Sequence, residues 1–155
     1  NAVQVICDIY SRFLFESRFF EARKQGPVSA EETKKIMLQA QIEAYGDGLD
    51  HNYLHPYMWT WKPHYYDSDY SFYNYPYAFG SLLAKGLYAR YQKDPEHFPK
   101  DYETFLSVTG KMDLEDIAKT LDIDLTDESF WQSSIDIIKE DIDTFKTLLE
   151  EYKHD

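Results

Sequence analysis

The sequence predicts an all-α fold, an irregular bundle of about six helices with a long loop before a Tyr-rich helix. Three observations point there. Apolar residues recur at helical spacing along most of the chain, no run sustains the two-residue alternation of a strand, and Gly, Pro and capping residues fall between the periodic segments.

The first helix covers roughly 2–24. Val3, Ile6, Ile9, Tyr10, Phe13, Leu14 and Phe20 mark its apolar positions, and Gly26-Pro27 stops it. Ser29 and Glu32 have capping-box spacing and open a second helix, which runs through Ile36, Met37, Ala40 and Ala44 to Gly46. Residues 46–70 read as irregular, broken by Gly46, Gly48, Pro56 and Pro63. A long helix then extends to about Tyr91. Pro76 fits only the first turn of a helix, so Asn74 is a better cap than Ser71. That start leaves His64, Tyr65, Tyr66 and Tyr70 on the loop and puts Tyr73 and Tyr75 at the helix entrance. Phe79, Leu82, Leu83 and Leu87 are expected core, and Asp94-Pro95 ends the segment. Short helices fit 100–109, stopped by Gly110, and 113–121, capped by Asp113. Thr126 or Asp127 opens a last helix to about 153, with Phe130, Trp131, Ile135, Ile138, Ile142, Phe145, Leu149 and Tyr152 as its expected buried stripe.

Composition narrows the function classes. At 155 residues the chain can enclose one core, and we read 1–155 as a single helical unit. The net charge of −12 argues against nucleic acid, whose phosphates require a basic face, and against a polybasic membrane contact. Asp8, Arg12 and Glu16 interrupt the first segment, so it is not a membrane span. Cys7 is the only cysteine, so no internal disulfide forms, which fits a reducing compartment. The chain opens on Asn1, without Met, directly into helical pattern, and we read that opening as the middle of a longer protein.

Residues 64–80, HYYDSDYSFYNYPYAFG, hold His64 and six of the fourteen tyrosines, namely Tyr65, Tyr66, Tyr70, Tyr73, Tyr75 and Tyr77. Buried phenols each need a partner, so a core has little use for so many. Three readings stay open on the residues alone: core packing at a helix entrance (Phe72 and Phe79), an aromatic platform for a sugar or stacking ligand, and a hydroxyl-and-imidazole wall that holds a peptide carbonyl or oxyanion. Met58, Trp59 and Trp61 would lengthen any apolar wall there. Other chemistry is weaker. His51 and His55 are spaced i,i+4, but Pro56 follows and Gly46 and Gly48 precede, so no metal is assigned to them. The chain has no H-E-x-x-H, no G-x-S-x-G and no phosphate-binding glycine loop. Asp47, Asp50, Asp67 and Asp69 lie near the aromatic run. Asp113, Glu115, Asp116, Asp122, Asp124, Asp127 and Glu128 read as helix-start charges and a solvated face.

The order ICDIYSRFLFE (6–16), AQIEAYGDGLD (40–50), HPYMWTWKPHYY (55–66) and FYNYPYAFGSLLAKGLYARY (72–91) closely resembles the C-terminal part of oligoendopeptidase F, a thimet-type zinc metallopeptidase. FW-x-x-S-x-x-I-I at 130–138 is similar to the last helix of that family, so the resemblance covers essentially the whole chain. It implies a cytoplasmic, nearly all-helical zinc metalloendopeptidase that hydrolyses short peptides. It also implies that the zinc ligands and the general-base glutamate lie upstream of Asn1. On this reading the chain is a fragment, the C-terminal part of the catalytic domain. It binds no zinc itself and is inactive alone. By the same resemblance His64 with Tyr70, Tyr73 and Tyr75 hydrogen-bonds the scissile carbonyl, and Tyr65, Tyr66 and Tyr77 are packing or substrate-channel residues. The first helix would lie against absent metal-bearing helices, leaving an apolar surface that favours self-association. The competing expectation is a stand-alone helical module that binds a peptide or sugar through the tyrosine surface.

Overall fold

The computed structural model describes residues 2–154. Six α-helices and no strand occur among them: α1 (Ala2–Gln25), α2 (Ala30–Tyr45), α3 (Tyr75–Lys93), α4 (Phe98–Val108), α5 (Leu114–Lys119) and α6 (Glu128–His154). The long connection before α3 is a series of short 3₁₀ turns, Gly46–Gly48, His51–Tyr53, Met58–Trp61, Pro63–Tyr66 and Ser68–Tyr70. Single 3₁₀ turns let a Pro-broken segment close some backbone hydrogen bonds locally without building a longer helix. The chain forms two compact units, one reaching to Phe79 and the other starting at Gly80.

In the first unit α1 packs along α2. Phe15, Met37 and Ala40 are buried between them, and Leu14, Phe19, Ile36, Met58, Trp59 and Tyr65 pack onto this core. The start of α2 is closed as its sequence predicts. Glu32 N–H donates to Ser29 Oγ at 3.2 Å, and Ser29 N–H donates to Glu32 Oε2 at 2.8 Å. Ser29→Ala removes one arm of this box, and a loss of about 1 kcal/mol is expected in urea unfolding. An unchanged midpoint would show that the box does not contribute. The loop is pinned by a residue that the sequence did not single out. Gln41, 2% exposed, donates to His55 O at 2.9 Å and accepts from His55 N–H at 3.0 Å. One buried amide thereby satisfies both backbone groups of a loop residue. Val3, Tyr10, Phe13 and Phe20 of α1 are exposed.

In the second unit the core is Leu87, Phe105, Ile117, Ala118, Leu121, Ile123 and Phe130. Gly86 meets α6 so closely that a Cβ there would lie 2.5 Å from Phe130 Cζ and 2.7 Å from Ser134 Oγ. Arg90 donates to Leu121 O and, at 3.0 Å, to Asp122 O, tying α3 to the turn after α5. Asp127 opens α6 by accepting from Ser129 N–H at 2.8 Å. Asp113 stands at the N-cap of α5, but its side chain makes no capping bond.

The stripe expected along α6 is corrected at Ile135 and throughout its C-terminal half. Phe130 and Ile138 are buried, as is Ile137, but Ile135, Ile142, Phe145, Leu149 and Tyr152 are exposed, Phe145 by 65% and Tyr152 by 80%. Length gives the reason in the C-terminal half. At about 1.5 Å per residue, the 27-residue α6 is longer than α3, α4 or α5. Periodicity marks which face is apolar but does not supply a partner for it.

Candidate functional site

The first unit gathers His64, Tyr70 and Tyr73 around one cavity. The 3₁₀ turn Pro63–Tyr66 carries His64, the turn Ser68–Tyr70 carries Tyr70, and Tyr73 stands two residues before α3. The His64 and Tyr73 rings stack with centroids 5.5 Å apart and an interplanar angle of 14°. Tyr70 meets Tyr73 edge-on at 4.9 Å and His64 edge-on at 6.4 Å. Pro63, His64, Asp67, Tyr70 and Tyr73 line a cavity of about 260 Å³. Asp67 accepts from Asp69 N–H at 3.0 Å, so it shapes the turn that presents Tyr70.

Buried polar atoms without a hydrogen-bond partner among the described residues lie in this region, including His64 Nδ1, Tyr65 OH, Asn74 Nδ2 and Arg12 Nε. A buried unsatisfied polar atom costs about 1–3 kcal/mol, so each calls for an explanation.

The other tyrosines are placed apart. Tyr75, the first residue of α3, and Tyr77 are exposed, as are Tyr70 and Tyr73, but Tyr75 and Tyr77 do not line the His64 cavity. Tyr65 turns into the core, edge-on to Phe15 at 5.1 Å. Its phenol is pushed well above its ordinary pKa by burial, with Arg12 opposing and Glu16 and Asp8 adding to the shift, so it is a neutral hydroxyl. Tyr65 and exposed Tyr66 line a second, apolar cavity of about 340 Å³ with Phe15, Phe19, Phe20 and Trp59. Trp59 is anchored by a 3.0 Å hydrogen bond from Nε1 to Pro56 O, while Trp61 is exposed with Lys62 Nζ over its ring at 3.6 Å.

Asn74 precedes α3 as expected, but its side chain has another task. It is 3% exposed, and its Oδ1 accepts from Arg12 Nη1 at 2.8 Å. Arg12 is in turn paired with Asp8 at 2.5 Å. One helical turn along α1, Glu16 is 5% exposed, and its Oε1 accepts from Phe72 N–H at 2.8 Å. Phe72 has a left-handed backbone, φ 58°, which costs an L-residue roughly 1–2 kcal/mol. Its ring lies 5.8 Å from Phe13 and 5.7 Å from Phe20. In the sequence Asp8, Arg12 and Glu16 read only as interruptions of an apolar segment. Their i,i+4 spacing was the available signal.

Burial pushes the Glu16 carboxyl above its ordinary pKa, opposed by the Phe72 N–H, which favours the charged form. The native state therefore keeps this proton to higher pH than the unfolded chain does. Its stability contribution is complete below the ordinary carboxylate pKa and is lost as pH rises through the raised value. Glu16→Gln keeps an acceptor and cannot ionise. Across that window the variant is expected to gain on the parent with rising pH, as read by urea unfolding at a series of pH values. Parallel profiles would contradict the shift.

The zinc implied by the resemblance finds no ligand set here. No three His, Cys, Asp or Glu side chains come together to hold a metal ion among the described residues. His51 Nε2 lies 3.1 Å from Gly46 O, and His55 Nδ1 accepts from Tyr57 N–H at 3.2 Å, so the i,i+4 pair does not share a helix face. No described helix is long and apolar enough to cross a membrane. Comparison with protein-family models gives no match, and comparison with curated proteins and with solved structures gives no significant match.

Proposed function

We propose that this chain forms the carbonyl-binding wall of a zinc metalloendopeptidase of the oligoendopeptidase F type, acting on short peptides. The observation that carries the reading is the convergence of His64, Tyr70 and Tyr73 on one cavity, supported by the resemblance of residues 55–91 to that family. An imidazole N–H and phenol O–H groups are suitable donors to a carbonyl oxygen whose negative charge grows as the carbon becomes tetrahedral. Preorganised donors of this kind favour the transition state over the substrate because the charge they meet develops only on reaction. Tyr75, exposed at the α3 entrance, is the further donor in this proposal, and Tyr65, Tyr66 and Tyr77 contact the peptide or pack beside it.

In the same reading the metal and the general base belong to residues outside this chain, the whole enzyme is cytoplasmic, and the exposed apolar residues of α1 favour self-association of the isolated chain. The 155-residue chain is expected to cleave no peptide. A chain that hydrolyses a quenched fluorescent peptide by itself would overturn this reading. In a peptidase containing the chain, Tyr73→Phe or Tyr70→Phe should lower kcat with little change in KM, because the ring stays and only the donor is lost.

A second reading, a stand-alone peptide- or sugar-binding module, is favoured by the apolar cavity beneath Trp59, Tyr65 and Tyr66. Titration of the chain with short peptides and oligosaccharides, followed by tryptophan fluorescence, tests it. Saturable binding abolished by Trp59→Ala would support it, and a flat titration removes it.

A further inference from the structure

We infer that Glu16 is a positioning residue for the His64 wall, acting by selecting the conformation of the turn that carries Tyr70 and Tyr73. The inference rests on the reading of that wall as the carbonyl-binding side of the site.

Residues Tyr70–Tyr73 form a hydrogen-bonded turn, with Tyr73 N–H donating to Tyr70 O at 3.0 Å. Ser71 has φ −55° and ψ 129°, and Phe72 has φ 58°. These angles fit a type II turn, in which the residue at the Phe72 position takes positive φ and is normally Gly or Asn. A type I turn joins the same four positions with its central peptide flipped, and it would let Phe72 keep the negative φ that an L-residue prefers. The local sequence therefore favours the turn that is not seen.

What selects the type II turn is the N–H of the central peptide. In the observed orientation the Phe72 N–H meets Glu16 Oε1 at 2.8 Å. Flipping the peptide would turn this N–H away and, above the raised pKa of Glu16, present the Ser71 carbonyl to a charged carboxylate, exchanging an attraction for a repulsion. Two further contacts from α1 hold the same segment. The Phe72 ring packs between Phe13 and Phe20, and Arg12 Nη1 donates to Asn74 Oδ1 at 2.8 Å. Arg12 and Glu16 are one helical turn apart, so one face of α1 grips the turn and the residue that follows it. Tyr70 and Tyr73 are the first and last residues of the turn. Held to α1 through its central peptide, the Phe72 ring and Asn74, the turn keeps both tyrosines in place beside His64.

The test uses NMR on the 155-residue chain and kinetics on a peptidase that contains it. In the parent chain the Ser71 Hα–Phe72 HN cross-peak should be strong and the Ser71 HN–Phe72 HN cross-peak weak, with the His64 ring protons shifted by the stacked Tyr73. Glu16→Ala should reverse the two cross-peaks and remove the ring shift. Glu16→Gln, which keeps an acceptor, should retain both, and Phe72→Gly added to Glu16→Ala should restore the parent pattern of the two cross-peaks, since Gly adopts positive φ freely, but not the ring packing on Phe13 and Phe20. Parent-like cross-peaks in Glu16→Ala would overturn the inference. If Glu16→Ala does not fold, Glu16→Gln decides, because exchanging carboxylate for amide must move the Phe72 amide proton, and an unmoved proton would overturn it. In the peptidase Glu16→Ala should lower kcat by about 100-fold, the scale of a small misplacement of reacting groups, with KM nearly constant and Glu16→Gln near parent activity. Parent-like kcat in Glu16→Ala beside a slow His64→Ala overturns the positioning role. Parent-like kcat in His64→Ala overturns the functional reading and with it the catalytic consequence, while the cross-peaks still judge the turn.

Discussion

In a peptidase that contains this chain, His64→Ala is expected to lower kcat by about 100- to 1000-fold while KM changes little, the effect of losing one preorganised donor to a developing oxyanion. The expectation follows from where His64 stands. Its ring stacks on Tyr73, faces the edge of Tyr70 and borders a cavity of about 260 Å³. Under the proposed function, Tyr73 and Tyr70 flank the imidazole and would direct it toward a carbonyl. A loss shared equally by kcat and kcat/KM would place the interaction in the transition state alone, whereas a rise in KM at constant kcat would mark His64 as a substrate-holding residue. Normal turnover of His64→Ala would remove the assignment. Circular dichroism of the same variant separates a catalytic defect from an unfolded chain.

The largest stability effect is expected in the second unit. Phe130→Ala should destabilise the chain by about 3–5 kcal/mol, as large-to-small substitutions of a buried aromatic do. Phe130 is 8% exposed, joins the cluster of Leu87, Phe105, Ile117, Ala118, Leu121 and Ile123, and lies edge-on to Trp131 at 5.1 Å. Its ring also occupies the space over Gly86, where an added Cβ would be 2.5 Å from Cζ. Gly86→Ala alone should therefore cost about 1–3 kcal/mol through overpacking. The pair gives a sharper test. In Gly86→Ala/Phe130→Ala the contact with the ring is relieved and only that with Ser134 Oγ at 2.7 Å remains, so the double variant should be more stable than the sum of the single losses. A strictly additive cycle, measured by urea unfolding at constant pH, would show that the close approach carries no strain.

The helical class and most helix limits are legible in the sequence because they depend on local signals. Ser29 and Glu32 announce a capping box and form it, and Gly26-Pro27 and Asp94-Pro95 mark stops beyond which α1 and α3 do not extend. Pro76 restricts the start of α3, and α3 does begin at Tyr75. The His64–Tyr77 run was visible as an anomaly of composition, since phenols at that density are hard to satisfy in a core.

Local patterns along the chain specify its all-α character, the positions of its helices, and a tyrosine-rich segment around one histidine. Which of those tyrosines meet the histidine is settled in three dimensions: Tyr70 and Tyr73 form ring contacts with His64, although all of Tyr70, Tyr73, Tyr75 and Tyr77 are exposed. Only the tertiary structure decided that Asn74 bonds to Arg12, that Glu16 holds Phe72 in a left-handed turn, and that the far half of α6 keeps its apolar face exposed. Helix limits follow from bonds and caps between residues three or four apart, which a sequence displays directly. The turn and the buried face depend on partners such as Glu16 and Phe72, 56 positions apart, and no local pattern encodes which distant group will be there.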